Sequence, residues 1–352
     1  MKRLSLFVAG IALAGLAACH KTTDNNAVNV TEDQVLQDFV NTTVLPQYQA
    51  FSTAGHNLFA AAGVLNTQVN QANLDSMRAV WRRTRSLWEQ CEGFLIGPVE
   101  DDNYDPNMDT WPIDYLQIDS FLATNGPNYG LPSGQALRGF HPLEYLLWGK
   151  NGNNPYDSIT DNKKREYMMN LTITLMRTAD SLYDSWRADH GNFQNIFLTA
   201  GIGSTRFPKK QDAFLAIVAG LSDICDEVGN GKIKEPFDSR DSTKTESPFS
   251  HNSMQDFKDN IVGAQNVYLC SYNGQSGASL SQFVYARNIA LDNKIKSQFT
   301  AAITALGLVT GNFETAIYTQ RTQLQAAMDA LNALQSTLDN DLKTFVVNYV
   351  KD

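Results

Sequence analysis

The stretch "LDSMRAVWRRTRSLWEQCEGFLIGP", residues 74–98, decides the fold. At 100° per residue, Leu74, Met77, Trp81, Arg85, Trp88, Glu92 and Leu95 fall in one stripe roughly 80° wide, the spacing of an amphipathic helix turned toward a core. The same period recurs along the chain. Tyr167, Leu171, Leu175, Leu182 and Trp186 share a face within 157–190, and Leu324, Met328, Leu331, Leu338, Leu342 and Phe345 share one near the C-terminus. Further helices are expected over roughly 32–66 (with Pro46 as a kink or restart), 73–96, 208–229, 252–271 and 288–307. No run alternates apolar and polar residues convincingly, as a half-buried strand would. The chain therefore reads as all-α, assembled from long helices of bundle type.

The first stripe contains a cation and an anion on a core face. Arg85 and Glu92 lie two turns apart, about 10 Å along the axis, so each needs another partner. Burying an unpaired charge costs several kcal/mol. One solution is local: Arg85 reaches toward solvent and pairs with Glu89 one turn on, while Glu92 sits at a wet edge. The other is that both look into a polar site completed from elsewhere in the chain.

A candidate partner lies in "GFHPLEYLLWG" (139–149), an apolar segment interrupted by His141 and Glu144. Two readings fit that spacing. With Pro142 at the first helical position, His141 is an N-cap and Glu144 falls where its side chain closes a capping box. Alternatively, the imidazole and the carboxylate project to one side of a helix as ligands for Fe, Zn or Mn, with Glu92, Glu100, Asp114 or Asp119 completing the set. In the second half, "ESPFSHNSMQDF" (246–257) contains a helix start at Ser253 and Asp256, preceded by Ser250, His251 and Asn252, which helix formation does not explain. There is no HExxH, no phosphate-binding glycine loop and no serine or cysteine in a triad-like context.

The first eighteen residues have the plan of a secretory signal: Lys2 and Arg3, an apolar run from Leu4, then Ala17 and Ala18. The run is short for a membrane span, and Leu16-Ala17-Ala18-Cys19 fits a lipobox that leaves Cys19 as a lipid-modified N-terminus. His20 follows it where an aspartate would mark inner-membrane retention, so the expected address is the outer membrane, facing the periplasm or the cell surface. Cleavage removes two cations and moves the formal net charge from −9 to −11, which argues against nucleic-acid binding. "KTTDNNAVNVT" (21–31) is polar and without period, as a tether would be. Cys91, Cys225 and Cys270 are an odd set in apolar helical contexts, which suggests buried thiols. The long irregular stretches 97–112, 124–134, 149–157 and 229–250 are read as functional or mobile. A faint internal echo, Cys91 onward against Cys225 onward and Leu143 onward against Gln265 onward, suggests two copies of one bundle meeting near 201–207.

Taken together, Gly139-Phe140-His141-Pro142-Leu143-Glu144, the Trp/Arg/Trp/Glu helix ending in Phe94-x-x-Gly97-Pro98, and the segment 246–268 resemble the imelysin-like family, a group with a peptidase label that includes iron-regulated proteins. The resemblance covers the mature chain in the expected order. It implies two similar four-helix bundles with a site at their interface: 1–18 signal peptide, 19–31 tether, 32–203 first bundle carrying the GxHxxE signature, 204–352 second bundle. It further implies a role in iron uptake, which with the lipobox gives a lipid-anchored protein of iron uptake. Such a protein would bind a transition metal, iron or else zinc, or an iron complex, working with other uptake components. His141, Glu144 and Glu92 would be the metal ligands, supported by Arg85, Trp88, Gly139, Ser250, His251 and Asn252. HxxE supplies one histidine and one carboxylate, fewer than a zinc peptidase uses. An HxxE metallopeptidase and a metal-free ligand-binding module therefore stand as the alternatives.

Overall fold

Helix starts follow their capping residues. Thr31 closes a capping box with Gln34, Asn70 accepts from the Asn73 amide, Asp161 from Lys163, and Asn288 from Leu291. The computed structural model describes residues 29–124 and 134–351, so the signal sequence, Cys19 and the tether up to residue 28 lie outside the described residues. Eight helices carry the fold: α1 (Leu45–Thr67), α2 (Gln71–Glu89), α3 (Phe140–Trp148), α4 (Asn162–Trp186), α5 (Lys210–Asp226), α6 (Ser253–Leu269), α7 (Ile289–Gly307) and α8 (Arg321–Ser336). A hairpin of two-residue strands, Ser271–Tyr272 and Gln275–Ser276, is the sheet found among the described residues. None of the described helices is long and apolar enough to cross a membrane.

The apolar stripes face inward as their spacing requires. Tyr167, Leu171, Leu175, Leu182 and Trp186 are buried, as are Leu324, Met328, Leu331, Leu338, Leu342 and Phe345. Three helices are interrupted by a wider π turn: Phe39–Val44 just before α1, Glu227–Ile233 after α5, and Thr337–Leu342 after α8. The first falls where the chain reaches Pro46, whose missing amide donor cannot continue an α-helical ladder from the preceding turn. Each π turn adds a residue to one turn and so rotates everything after it relative to the stripe before it. The expected helix over 208–229 therefore continues, through its π turn, into Lys234–Ser239. Cys91, Cys225 and Cys270 are buried free thiols.

Helices α1 to α4 pack chiefly on one another, as do α5 to α8, and α2 meets α6 across the middle. The short 3-10 turn Glu92–Phe94 that ends α2 sits against both α5 and α6. The approach is backbone to backbone. A Cβ at Gly263 of α6 would stand 2.2 Å from the Gln90 carbonyl oxygen, and one at Gly93 would stand 3.0 Å from Ala264 Cα. Small residues at this crossing bring the end of α2 onto α6 and so position the polar groups beside it.

Gly263→Ala is expected to force α2 and α6 apart and to destabilise the protein by about 2–3 kcal/mol. Gly63→Ala, at a mid-helix glycine with open space around it, is expected to be neutral or to stabilise by about 0.5–1 kcal/mol. Urea denaturation of the two variants beside the parent measures both.

Candidate functional site

Arg85 leaves α2 into the core, not toward solvent, and is fully buried. Its guanidinium meets Glu89 and Asp109 in close ion pairs, Glu246 Oε1 at 3.1 Å and Asp256 Oδ1 at 3.8 Å. The local pairing with Glu89 is therefore real, but both partners are buried and the pair is one edge of a larger cluster. Glu92 is also buried, on the 3-10 turn beyond α2, not at a wet edge. Asn260 of α6 donates from one amide nitrogen to Glu89 Oε2 at 2.7 Å and to Glu92 Oε2 at 2.8 Å, holding the two carboxylates side by side. Lys232, on the π turn after α5, places its ammonium 2.9 Å from both Glu92 and Glu246, 3.4 Å from Glu227 and 3.6 Å from Glu89.

Gly139 fixes the other wall. Its φ is +86°, and a Cβ there would stand 1.9 Å from the Met108 carbonyl oxygen. Only glycine allows the 104–109 segment to lie this close, and Asp109 is thereby set against His141. Asp109 Oδ1 is 3.0 Å from His141 Nε2, and Oδ2 accepts from Trp88 Nε1 at 2.6 Å. His141 Nδ1 faces Glu144 Oε2 at 3.2 Å, and Glu144 Oε1 accepts from the Ser250 amide and hydroxyl at 2.6 Å each. Helix α3 is capped by Gly139 with no side-chain cap bond, so the capping-box reading of His141 and Glu144 is corrected: helix formation begins two residues earlier. In this structure the two side chains are engaged with each other, Nδ1 to Oε2.

Between these walls opens a cleft of about 360 Å³, bounded by Glu92, Asp105, Asp109, Trp111, Lys232 and Glu246. Glu89, Glu92 and Asp109 each offer a carboxylate oxygen to one place, all within 4.8 Å of one another. Glu246 Oε2 is buried and bonds to nothing among the described residues. Burial pushes Glu89 well above the ordinary carboxylate range against the pull of Arg85 and Lys232, and burial and then Glu89 do the same to Glu92. Asp109 is buried as well, but Arg85 and His141 prevail and hold it well below that range. Burial, with Asp109 and Glu227 nearby, raises Asp105 to about 7. The cleft thus holds more carboxylate than its cations compensate, which is an environment that favours an added positive ion.

Of the residues singled out in the sequence, the structure brings Arg85, Trp88, Glu92, Gly139 and His141 to this cleft or its immediate wall. Glu144 and Ser250 form the layer behind it. Asn252 donates to Asp256 at 2.6 Å and accepts from Arg82 at 2.6 Å, joining the halves at the same layer. His251 turns away: it takes a left-handed backbone, φ +56°, and its Nδ1 lies 2.9 Å from Glu314. Glu100 pairs with Arg206, Asp114 holds the Gln117 amide and Asp119 the Tyr145 hydroxyl, so none of them completes a set with His141. Sequence reasoning did not single out Asp109, Lys232, Glu246 or Asn260. The irregular stretches 97–112 and 229–250 carry the first three, and their density of turn residues in a helical chain was the available signal.

His141 generates a pH dependence. Burial and Arg85 oppose its charging, but Asp109 and Glu144 outweigh them and push its pKa from 6.5 to about 8. A cation favoured in the folded state contributes stability that is complete below pH 6.5 and disappears as pH rises through 8, here about 2 kcal/mol. The destabilisation caused by His141→Gln is therefore expected to shrink by about that amount between pH 6 and pH 9, measured by denaturant unfolding in metal-free buffer.

Comparison with known proteins agrees with this architecture. The Imelysin family model matches residues 44–338. Iron-regulated protein A of Synechococcus elongatus is 28% identical over 345 residues, covering 96% of this chain and 93% of its own length. A crystal structure from Parabacteroides distasonis, assigned as an iron-regulated protein A precursor, superposes with a TM-score of 0.78 at 24% identity, covering 90% of this chain and 96% of the other. An imelysin-like protein from Psychrobacter arcticum superposes with a TM-score of 0.70 at 12% identity, covering 88% and 94%. With the model matching most of its length and the all-helical fold shared, the chain belongs to the Imelysin family.

Proposed function

We propose that the cleft binds an iron ion as cargo, with Glu89, Glu92 and Asp109 as its oxygen ligands and His141 orienting Asp109 from behind. The observation that carries this reading is the convergence of three carboxylates within 4.8 Å of one another at a cleft where Glu246 Oε2 is buried without a bond among the described residues. Hard oxygen donors suit a hard, highly charged ion. The name of the cyanobacterial relative, iron-regulated protein A, favours iron among such ions. Glu92 keeps the ligand role that the sequence suggests. Glu89 and Asp109 converge with Glu92, whereas Glu144 is fully buried in the layer behind the cleft and does not line it. A water and a peptide would have to meet Glu144 in the cleft that it does not line, so the geometry supports binding better than peptide hydrolysis.

Residues 16–19 supply the second part of the proposal: a lipid on Cys19 holds this cleft at a membrane, the outer membrane by the residue that follows, where a captured ion serves uptake. Metabolic labelling with radioactive palmitate is expected to mark the protein and to be lost in Cys19→Ser. Equal labelling of both would overturn the anchor.

The mature chain, purified without chelator, is expected to bind Fe²⁺ added anaerobically or Fe³⁺ supplied as citrate. Glu89→Gln, Glu92→Gln and Asp109→Asn should each weaken binding by more than about tenfold, while Glu100→Gln, outside the cluster, leaves it unchanged. Equilibrium binding with metal analysis reads the result, with thermal melts verifying that each variant folds. Absence of iron binding by the parent chain, or parent-like binding by all three variants, would overturn the assignment.

A further inference from the structure

Lys232 occupies an unusual position for a lysine. Its side chain is about nine-tenths buried, and its ammonium touches four carboxylates, Glu89, Glu92, Glu227 and Glu246. Two of these, Glu89 and Glu92, belong to the triad assigned above to the ion. Lys232 lies 2.9 Å from Glu92 Oε2, the same oxygen that Asn260 engages. A cation drawn to Glu89 and Glu92 therefore meets a positive charge already seated on them.

We propose that Lys232 is a built-in counter-ion that the incoming metal ion displaces, and that it sets which cations can enter. The inference rests on the reading of the cleft as an ion site. Three features of the structure support displacement over a permanent ion pair. First, the ammonium is a single point charge on a flexible four-carbon stem, whereas Arg85 holds Asp109, Glu89 and Glu246 with a rigid planar guanidinium. Lys232 is the mobile member of the pair. Second, a landing place is at hand. Glu227, 3.4 Å from the ammonium, has a side chain about half exposed, and Glu235 lines the same cleft with a side chain about two-thirds exposed. The ammonium can leave the buried carboxylates and remain paired in water, so its charge is never stranded. Third, Lys232 is held by a π turn and follows Gly231, where a Cβ would meet nothing closer than 4.0 Å. The turn is anchored by buried Val228 and Ile233 but leaves open space at Gly231, the neighbour of Lys232.

The consequence is selectivity by charge. An ion of charge one returns to the carboxylates only what the ammonium already gave them, so exchange yields no net electrostatic gain. An ion of charge two or three adds positive charge to an under-compensated acidic cleft and reaches Glu246 Oε2, which is otherwise without a bond among the described residues. Lys232 thereby excludes monovalent ions and disfavours weakly held divalent ones, without adding a ligand of its own.

Isothermal titration of Fe²⁺ under anaerobic conditions into the parent chain and Lys232→Met tests this, with Lys232→Arg as a third sample and thermal melting of each without metal. Lys232→Met should melt at lower temperature than the parent without metal, because buried carboxylates lose their partner. It should nevertheless bind Fe²⁺ more tightly, by about tenfold or more, equivalent to about 1.4 kcal/mol. Lys232→Arg, bulkier and better able to hold two carboxylates at once, should bind more weakly than the parent. A residue that only held the cleft in shape would weaken both stability and binding when lost, so equal or weaker binding by Lys232→Met overturns the displacement. If the variant chain melts cooperatively and neither it nor the parent binds iron, the ion-site reading itself has failed.

Discussion

One buried guanidinium organises this molecule. Arg85 sits in the middle of a largely apolar helix face with no contact to solvent. Leaving such a charge without partners would cost several kcal/mol, a large share of the margin by which a domain is stable. Its partners come from three places: Glu89 from its own helix, Asp109 from the irregular segment after it, and Glu246 and Asp256 from the far half of the chain. The halves must therefore meet at Arg85 for either to be satisfied. The glycine and alanine contacts that bring α2 onto α6 are the steric condition for that meeting. Packing and electrostatics select the same crossing.

The acidic groups that satisfy Arg85 exceed what it needs, and the excess is where function resides. His141 shares Asp109 with Arg85, and Lys232 shares Glu246 with it, so each added cation is tied into the same network. Even so, burial and the carboxylates around them keep Glu89 and Glu92 above their ordinary range. A cluster built only for stability would gain from exchanging such groups for apolar ones. Their arrangement around a 360 Å³ opening makes sense as a place for a further positive charge.

Much of this was legible in the residues. The 3.6 period gave an all-helical chain and most long helices, because buried faces in a bundle repeat with the turn of the helix. The same stripe exposed Arg85 and Glu92 as charges that needed an explanation, and both are buried at the cleft. Gly139 stood out in its motif, and its left-handed backbone explains why. The rest was hidden for definable reasons. Asp109, Lys232 and Glu246 lie on segments without period, where sequence position does not fix direction. The π turn at 227–233 rotates Lys232 away from the face that the preceding helix would assign it. His141 and Glu144 at i and i+3 are compatible with a cap or a ligand pair; the structure sets them facing each other, with Ser250 behind Glu144. His251 stood next to Ser250 in sequence and was grouped with it. Its positive φ sends the two side chains to different neighbours.

The position of the ion decides between these ligand sets. Crystals of the mature chain equilibrated with iron, measured at the iron absorption edge, locate it directly by anomalous scattering. The predicted result is a single strong peak within coordinating distance of Glu89, Glu92 and Asp109, with the Lys232 ammonium moved toward Glu227. A peak held instead by His141 and Glu144, with Ser250 pushed aside, or no peak in the cleft at saturating iron, would contradict it.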